Sequence, residues 1–241
     1  MTQAGVTRQA LLHHATDVFA KSGYELASVR EITSRAGANL AAINYHFGGK
    51  EALYREVLSL ALAALSEASL LDDEALDRAP REEAVRLFIR RQVAPLLRYA
   101  ELSRYLRIFA REALSPTRIY SAFIAEEKLP VLAQAERIVR RFRSADASRA
   151  DILVAAIWLS QQAAPFIRHC ESLSRQPLRF EVDAPFVDRL AADLGAMAIA
   201  GLTALENQQP TGLRRSGLNG RDGGARYFAG AVQATELSLK T

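Results

Sequence analysis

Between residues 28 and 46 the sequence encodes two helices too short to stand alone, joined at a glycine turn, and this pairing constrains the fold more than any other stretch. Ser28-Val29-Arg30-Glu31 opens the first helix as a capping box, in which the serine hydroxyl and the glutamate three residues later satisfy free backbone donors. Ala36-Gly37 closes it, the glycine taking the left-handed conformation that reverses the chain. Asn39 is a good cap for the next helix, which is expected to end near His46. Upstream, residues 7–22 place Leu11, Ala15, Val18 and Phe19 on one face, with Thr7 as cap and Gly23 as stop, so a supporting helix is expected there. This is the helix-turn-helix plan, whose second helix enters the major groove of DNA.

On that second helix Leu40, Ile43 and Phe47 recur at 0, 3 and 7 and are expected to face inward. The outward set is then Asn39, Ala41, Ala42, Asn44, Tyr45 and His46. The two alanines let the backbone approach base edges and touch a thymine methyl, while Asn44 suits an adenine edge through two hydrogen bonds. Tyr45 and His46 have the length and polarity to reach phosphate oxygens; packing against the first helix is the alternative for Tyr45. Gly48-Gly49-Lys50-Glu51 starts a fourth helix, so Lys50 sits where free N–H groups and the helix dipole favour an anion. Ser28 and Arg30 are the matching phosphate candidates at the start of the other helix.

Thr7-Arg8, Ala15, Phe19-Ala20, Gly23-Tyr24, Ser28-Val29-Arg30-Glu31-Ile32, Ala36-Gly37 and Ile43-Asn44-Tyr45-His46-Phe47, followed by Lys50-Glu51-Ala52-Leu53, resemble the DNA-binding domain of the TetR family. Further on, Arg111-Glu112-Ala113-Leu114-Ser115-Pro116-Thr117 is similar to the subgroup with a CecR-like C-terminal domain. The resemblance implies an all-α homodimer with a C-terminal ligand-binding and dimerisation domain, a repressor of transcription that binds double-stranded operator DNA and is released by an unidentified small-molecule effector.

The remaining sequence reads as helical as well, with no run of alternating β-branched residues. Helices are expected near 50–70, 81–99, 101–114, 117–143, 148–174 and 183–206, with Pro95, Pro130 and Pro165 kinking or splitting three of them. Residues 1–56 form the expected DNA-binding domain, 57–206 the helical ligand-binding and dimerisation domain, and 207–241, with Pro210 and six glycines, a mobile tail. The net charge of +4 is distributed as +1, 0 and +3 over these three segments, so basicity alone is a weak argument for nucleic acid and contacts must be argued position by position. The longest apolar runs, 152–159 and 195–205, fall short of the ~20 residues that span a bilayer, so no membrane partner is expected. The N-terminus lacks a basic-then-apolar leader, and the single cysteine, Cys170, suits a reducing compartment, which together point to the cytoplasm.

No HExxH, glycine-rich phosphate loop or G-x-S-x-G is present, and Cys170 beside His169 cannot face it as a dyad on a regular helix, so neither an enzyme nor a cofactor is expected. His13 and His14 are adjacent and point apart, which is poor metal geometry. Arg104, Arg107 and Arg111 recur at 0, 3 and 7; acid partners or solvent explain such a face, and otherwise it suggests a pocket for an anionic ligand lined by Phe109, Trp158 and Gln161. Arg137, Arg140, Arg141 and Arg143 read as a solvated face at a helix C-terminus. Two seams, Ile152, Ala156, Leu159, Ala163 and Phe166, then Phe186, Leu190, Leu194, Met197, Gly201 and Leu205, fit either an intrachain core or a two-fold four-helix interface, and the resemblance favours the interface. The rival reading of the whole chain is a helical ligand-binding or adaptor protein whose N-terminal unit contacts protein.

Overall fold

The computed structural model describes residues 3–126 and 129–206, and every regular element among them is helical. The segment 207–241, expected to be a tail, lies outside the described residues. Helices α1 (Gln3–Leu26), α2 (Val29–Arg35), α3 (Ala41–Phe47) and α4 (Lys50–Ser69) are followed by α5 (Asp73–Arg78) and α6 (Arg81–Val93). A 3-10 turn (Ala94–Arg98) leads to α7 (Tyr99–Leu114), α8 (Arg118–Glu126), α9 (Pro130–Arg140), α10 (Arg149–Ser160), α11 (Ala164–Arg168), α12 (Cys170–Leu173) and α13 (Ala184–Glu206). Each anticipated proline break occurs: Pro95 falls in the 3-10 turn, Pro130 opens α9 and Pro165 stands in the first turn of α11. Helix α5 lies between the helices expected near 50–70 and 81–99; Asp72 caps it, its carboxylate accepting from the Ala75 N–H at 2.9 Å.

Of the described residues, 3–65 with 101–126 form one compact unit and 66–100 with 129–206 a second. The first unit is built on Leu11, Ala15, Val18, Phe19, Ile32, Ile43, Leu53 and Val57, all essentially inaccessible, with Leu102, Ile108 and Phe123 buried on α7 and α8. Helix α1 begins at Gln3, so Thr7 lies inside it and is not the expected cap. Gly23 interrupts the helical geometry (φ 72°, ψ 174°) as anticipated. A Cβ there would also stand 2.7 Å from Cδ of Arg111. Gly23→Ala is therefore expected to lose about 1–2 kcal/mol from the left-handed backbone alone, read as a lower melting temperature; an unchanged transition would show that the turn relaxes freely.

In the second unit α13 packs on α6 and α10 on α9, enclosing Leu76, Val85, Phe88, Ile89, Ile138, Val139 and Phe142. The first predicted seam belongs to this core: Ile152, Ala156, Leu159 and Ala163 are buried within the chain, as is Leu194 of the second seam. Those positions face α9 and α6, so the spacing reports an intrachain core. The stretch Arg149–Arg168 is long and apolar enough for a bilayer span, yet α10 stops at Ser160, the chain turns through 161–163, and its core-facing stripe is the one just named. Of the arginines at and beyond the end of α9, Arg140 is exposed as expected, while Arg137, Arg141 and Arg143 are bonded. Arg137 pairs with Asp73 at 2.5 Å and Asp77 at 2.6 Å, Arg141 donates to the carbonyls of Leu76 and Ala79, and Arg143 donates to that of Leu205. Hydrogen bonds from Gln134 and then Arg137 hold the Asp73 carboxyl below its ordinary range.

Candidate nucleic-acid interface

The helix pair forms where its punctuation places it. Ser28 Oγ accepts from the Glu31 N–H at 3.3 Å, but the Glu31 carboxylate reaches forward to Arg35 at 2.6 Å, so the capping box is half made. Gly37 takes φ 62°, and the Ala38 N–H then donates to the Thr33 carbonyl at 2.9 Å, closing α2. Helix α3 starts at Ala41. Asn39 bonds it through its backbone carbonyl, which accepts from the Ala42 N–H at 3.1 Å, and not through a capping side chain.

Ile43 and Phe47 turn inward as expected, and the opposite side is open. Asn39, Ala41 and Asn44 are exposed, Ala42 and His46 are half-buried, and Tyr45 is 82% exposed. Tyr45 therefore does not pack on α1; its ring meets His46 edge-on at 4.9 Å. Leu40 is a correction, being 51% exposed where the spacing predicted core. It precedes the first residue of α3, and because helical side chains lean toward the N-terminus, a residue there overhangs the helix end and misses the buried stripe.

Ser28 and Arg30 are both exposed at the start of α2. Lys50 opens α4 after Gly48 and Gly49, both at positive φ. Its ammonium donates to the Glu25 carbonyl at 3.2 Å and lies 4.7 Å from the centre of the Tyr24 ring, which aims a long side chain without neutralising it. Tyr24 in turn packs on Phe19 and on Tyr54, with ring centres 6.3 and 5.1 Å away. Arg8 of α1 pairs with Glu56 of α4 at 2.5 Å and lies over the Phe47 ring, so α1, held by α4, braces α3.

One polar cluster in this unit was not visible in the sequence. Glu112 is 2% exposed, and it accepts from the Tyr54 hydroxyl at 2.5 Å, the Thr117 N–H at 2.7 Å and the Thr117 hydroxyl at 3.1 Å. Burial first, then the bond to Glu112, raises the Tyr54 hydroxyl well above its ordinary pKa; burial and the Glu112 charge push Tyr120 up to about 12. The only sequence signal was a glutamate among the apolar positions of α7.

The six residues offered as an anion pocket divide between the two units. Arg104 donates to Asp17 at 3.3 Å, contacts His13 at 3.1 Å and lies over Tyr105, while Arg111 donates to the Lys21 carbonyl at 3.0 Å. Arg107 is exposed on the same helix, and Phe109 meets the Tyr120 ring at 5.8 Å. These four belong to the first unit; Trp158 and Gln161 belong to the second, Trp158 lying against Gly201 and Gln161 ending α10. Local acid and carbonyl partners thus account for Arg104 and Arg111. His13, His14 and Asp17 have ligand atoms within 4.8 Å of one another, but the Arg104 guanidinium binds into that cluster and supplies its positive charge.

Residues 11–57 match the family described as bacterial regulatory proteins, tetR family, and residues 81–202 match the C-terminal domain of the HTH-type transcriptional dual regulator CecR. Among curated proteins, CecR of Shigella flexneri is 30% identical over 130 residues, 51% of this chain and 58% of its own length. The HTH-type transcriptional repressor NicS of Pseudomonas putida is 36% identical over 84 residues, 35% of this chain and 39% of its own. The alignments thus span about half the length of these relatives or less. Among solved structures, a TetR-like transcriptional regulator from Rhodococcus sp. RHA1 superposes with a TM-score of 0.59 at 16% identity, covering 83% of this chain and 99% of its own. AibR, solved in complex with isovaleryl coenzyme A and operator DNA, gives 0.56 at 19% identity over 79% of this chain and 97% of its own. These likenesses establish the fold.

Proposed function

The chain belongs to the tetR family of bacterial regulatory proteins, and from that premise we propose that it is a homodimeric transcriptional repressor that binds a pseudo-palindromic operator and is released by a small-molecule effector. The observation that carries the reading is the two-sided α3, with Ile43 and Phe47 holding it to the unit while Asn39, Ala41, Asn44 and Tyr45 stand open. Ala41, Ala42 and Asn44 are the base-reading positions; Ser28, Arg30, Asn39, Tyr45, His46 and Lys50 hold the phosphates and fix register. NicS is described as a repressor, and AibR was solved in complex with isovaleryl coenzyme A and operator DNA, which supports repression and the pairing of a small-molecule ligand with operator DNA. The effector is assigned to the CecR-like stretch 81–202.

Release requires that the effector bind two states unequally, since a ligand with equal affinity for both shifts nothing. Glu112 is the element of the first unit suited to transmit the difference, because it joins α4, through Tyr54, to the corner between α7 and α8, through Thr117.

A gel shift with the DNA upstream of the protein's own gene tests the reading. Wild type is expected to retard that DNA in preference to random duplex. Asn44→Ala is expected to lose ~1–3 kcal/mol on the operator and little on random DNA, whereas Lys50→Ala weakens both alike and flattens the salt dependence. Equal losses on both DNAs for Asn44→Ala would remove it from base reading. Failure of wild type to bind any duplex would favour an adaptor whose N-terminal unit contacts protein.

A further inference from the structure

Leu40 has no role in the fold that accounts for it. At 51% exposure it forgoes much of its burial, and it occupies the cap position of α3 without a side chain able to cap. Serine, threonine, asparagine or aspartate is the stabilising choice at such a position. It also adjoins Ala41 and lies four and five residues from Asn44 and Tyr45, which places all four on the open side of α3, away from Ile43 and Phe47. An apolar branched side chain on a helix face that reads the major groove has one apolar feature to meet there, the C5 methyl of thymine.

We propose that Leu40 is a specificity-determining residue that packs on a thymine methyl in each half-site, while Asn44 reads a neighbouring base edge by hydrogen bonds. The inference rests on the DNA-binding reading above and deepens it, by naming a base that an apolar contact selects. Burying one methyl against leucine is worth about three- to fivefold in affinity, the factor that corresponds to ~0.8 kcal/mol.

The test uses the full-length protein and the duplex that wild type protects, with each thymine replaced in turn by deoxyuridine, which lacks only the C5 methyl. Wild type is expected to lose about three- to fivefold at one thymine of each half-site. Leu40→Ala, which removes the contact from both half-sites at once, is expected to lose about the square of that factor, ~9- to 25-fold, on the unmodified duplex and nothing further at that deoxyuridine, while matching wild type at every other position. Because Leu40 is exposed, its replacement leaves the melting temperature unchanged, so a folding defect is recognisable. The proposal is overturned if wild type is indifferent to every deoxyuridine, as it would be were Leu40 a docking point for protein. It is equally overturned if wild type and Leu40→Ala lose the same factor at each position. Wild type binding no duplex at all would bring down the DNA-binding reading first, a result distinct from binding without methyl dependence.

Discussion

Replacing Met197 with glutamate is expected to leave each chain folded, to separate the proposed dimer, and to weaken operator binding by ~10²- to 10⁴-fold. Met197 is 64% exposed on α13, in line with exposed Ala196 and Ala200; on α10, Val154 and Trp158 are 53% and 39% exposed. The Trp158 ring lies over Gly201, where a Cβ would stand 3.0 Å from Cη2, so a large flat side chain bridges the two helices and widens the apolar face. A face of this kind marks an interaction surface. A two-fold interface presents the same patch from both partners, so one substitution per chain brings two carboxylates into the seam, where burying unpaired charge outweighs the contacts that remain. Two reading units held together bind as one through effective concentration, which sets the size of the loss once they part. Sedimentation equilibrium measures the dimer directly. Trp158, the only tryptophan, reports on the same surface by fluorescence. A dimer that persists with unaltered operator affinity would move the interface off α10 and α13.

This face shows what the sequence carries and what it does not. The spacing of Ile152, Ala156, Leu159 and Ala163 is a correct signal of a buried stripe, but a stripe does not say whether its partner lies in the same chain, and here α9 is that partner. The residues left for a second chain, Val154 and Trp158, stand on the opposite side of α10 and repeat too few times to stand out. The reading unit was more legible because backbone chemistry at Ser28, Gly23, Gly37 and Gly48 fixes where helices start and stop, and such constraints are local. Leu40 escaped because the stripe was extended one residue beyond the helix that defines it. Arg104 and Arg111 left two readings open, acid partners or an anion pocket, because Asp17 and the Lys21 carbonyl are distant in sequence and spacing alone does not name them.

Glu112→Ala is expected to lower stability by about 2–4 kcal/mol, seen as a fall of roughly 5–15 °C in the melting temperature. The methyl that replaces the carboxylate accepts no hydrogen bond, so the Tyr54 hydroxyl, 2% exposed as a residue, and the Thr117 N–H are left without their acceptor. Leaving a buried donor unmet is the costly case, dearer than the net gain a hydrogen bond brings. Glu112→Gln is expected to cost less, because an amide oxygen can keep the Thr117 N–H while the amide nitrogen donates to the Tyr54 hydroxyl, which accepts as well as donates. Tyr54→Phe removes one of the three bonds and leaves Thr117 on the carboxylate, so it costs about 1–2 kcal/mol, and the double variant then loses less than the two single losses together, because the Tyr54–Glu112 bond is lost only once and no Tyr54 hydroxyl remains to be orphaned. The raised Tyr54 pKa adds a check in pH. Its folded value lies above the unfolded value near 10, so the stability it supplies is complete below that value and is lost as pH rises beyond it, a decline that Tyr54→Phe is expected to reduce. Strict additivity of the Glu112 and Tyr54 variants would show that α4 and the α7–α8 corner are held independently, and would take Glu112 out of any path by which an effector reaches Lys50.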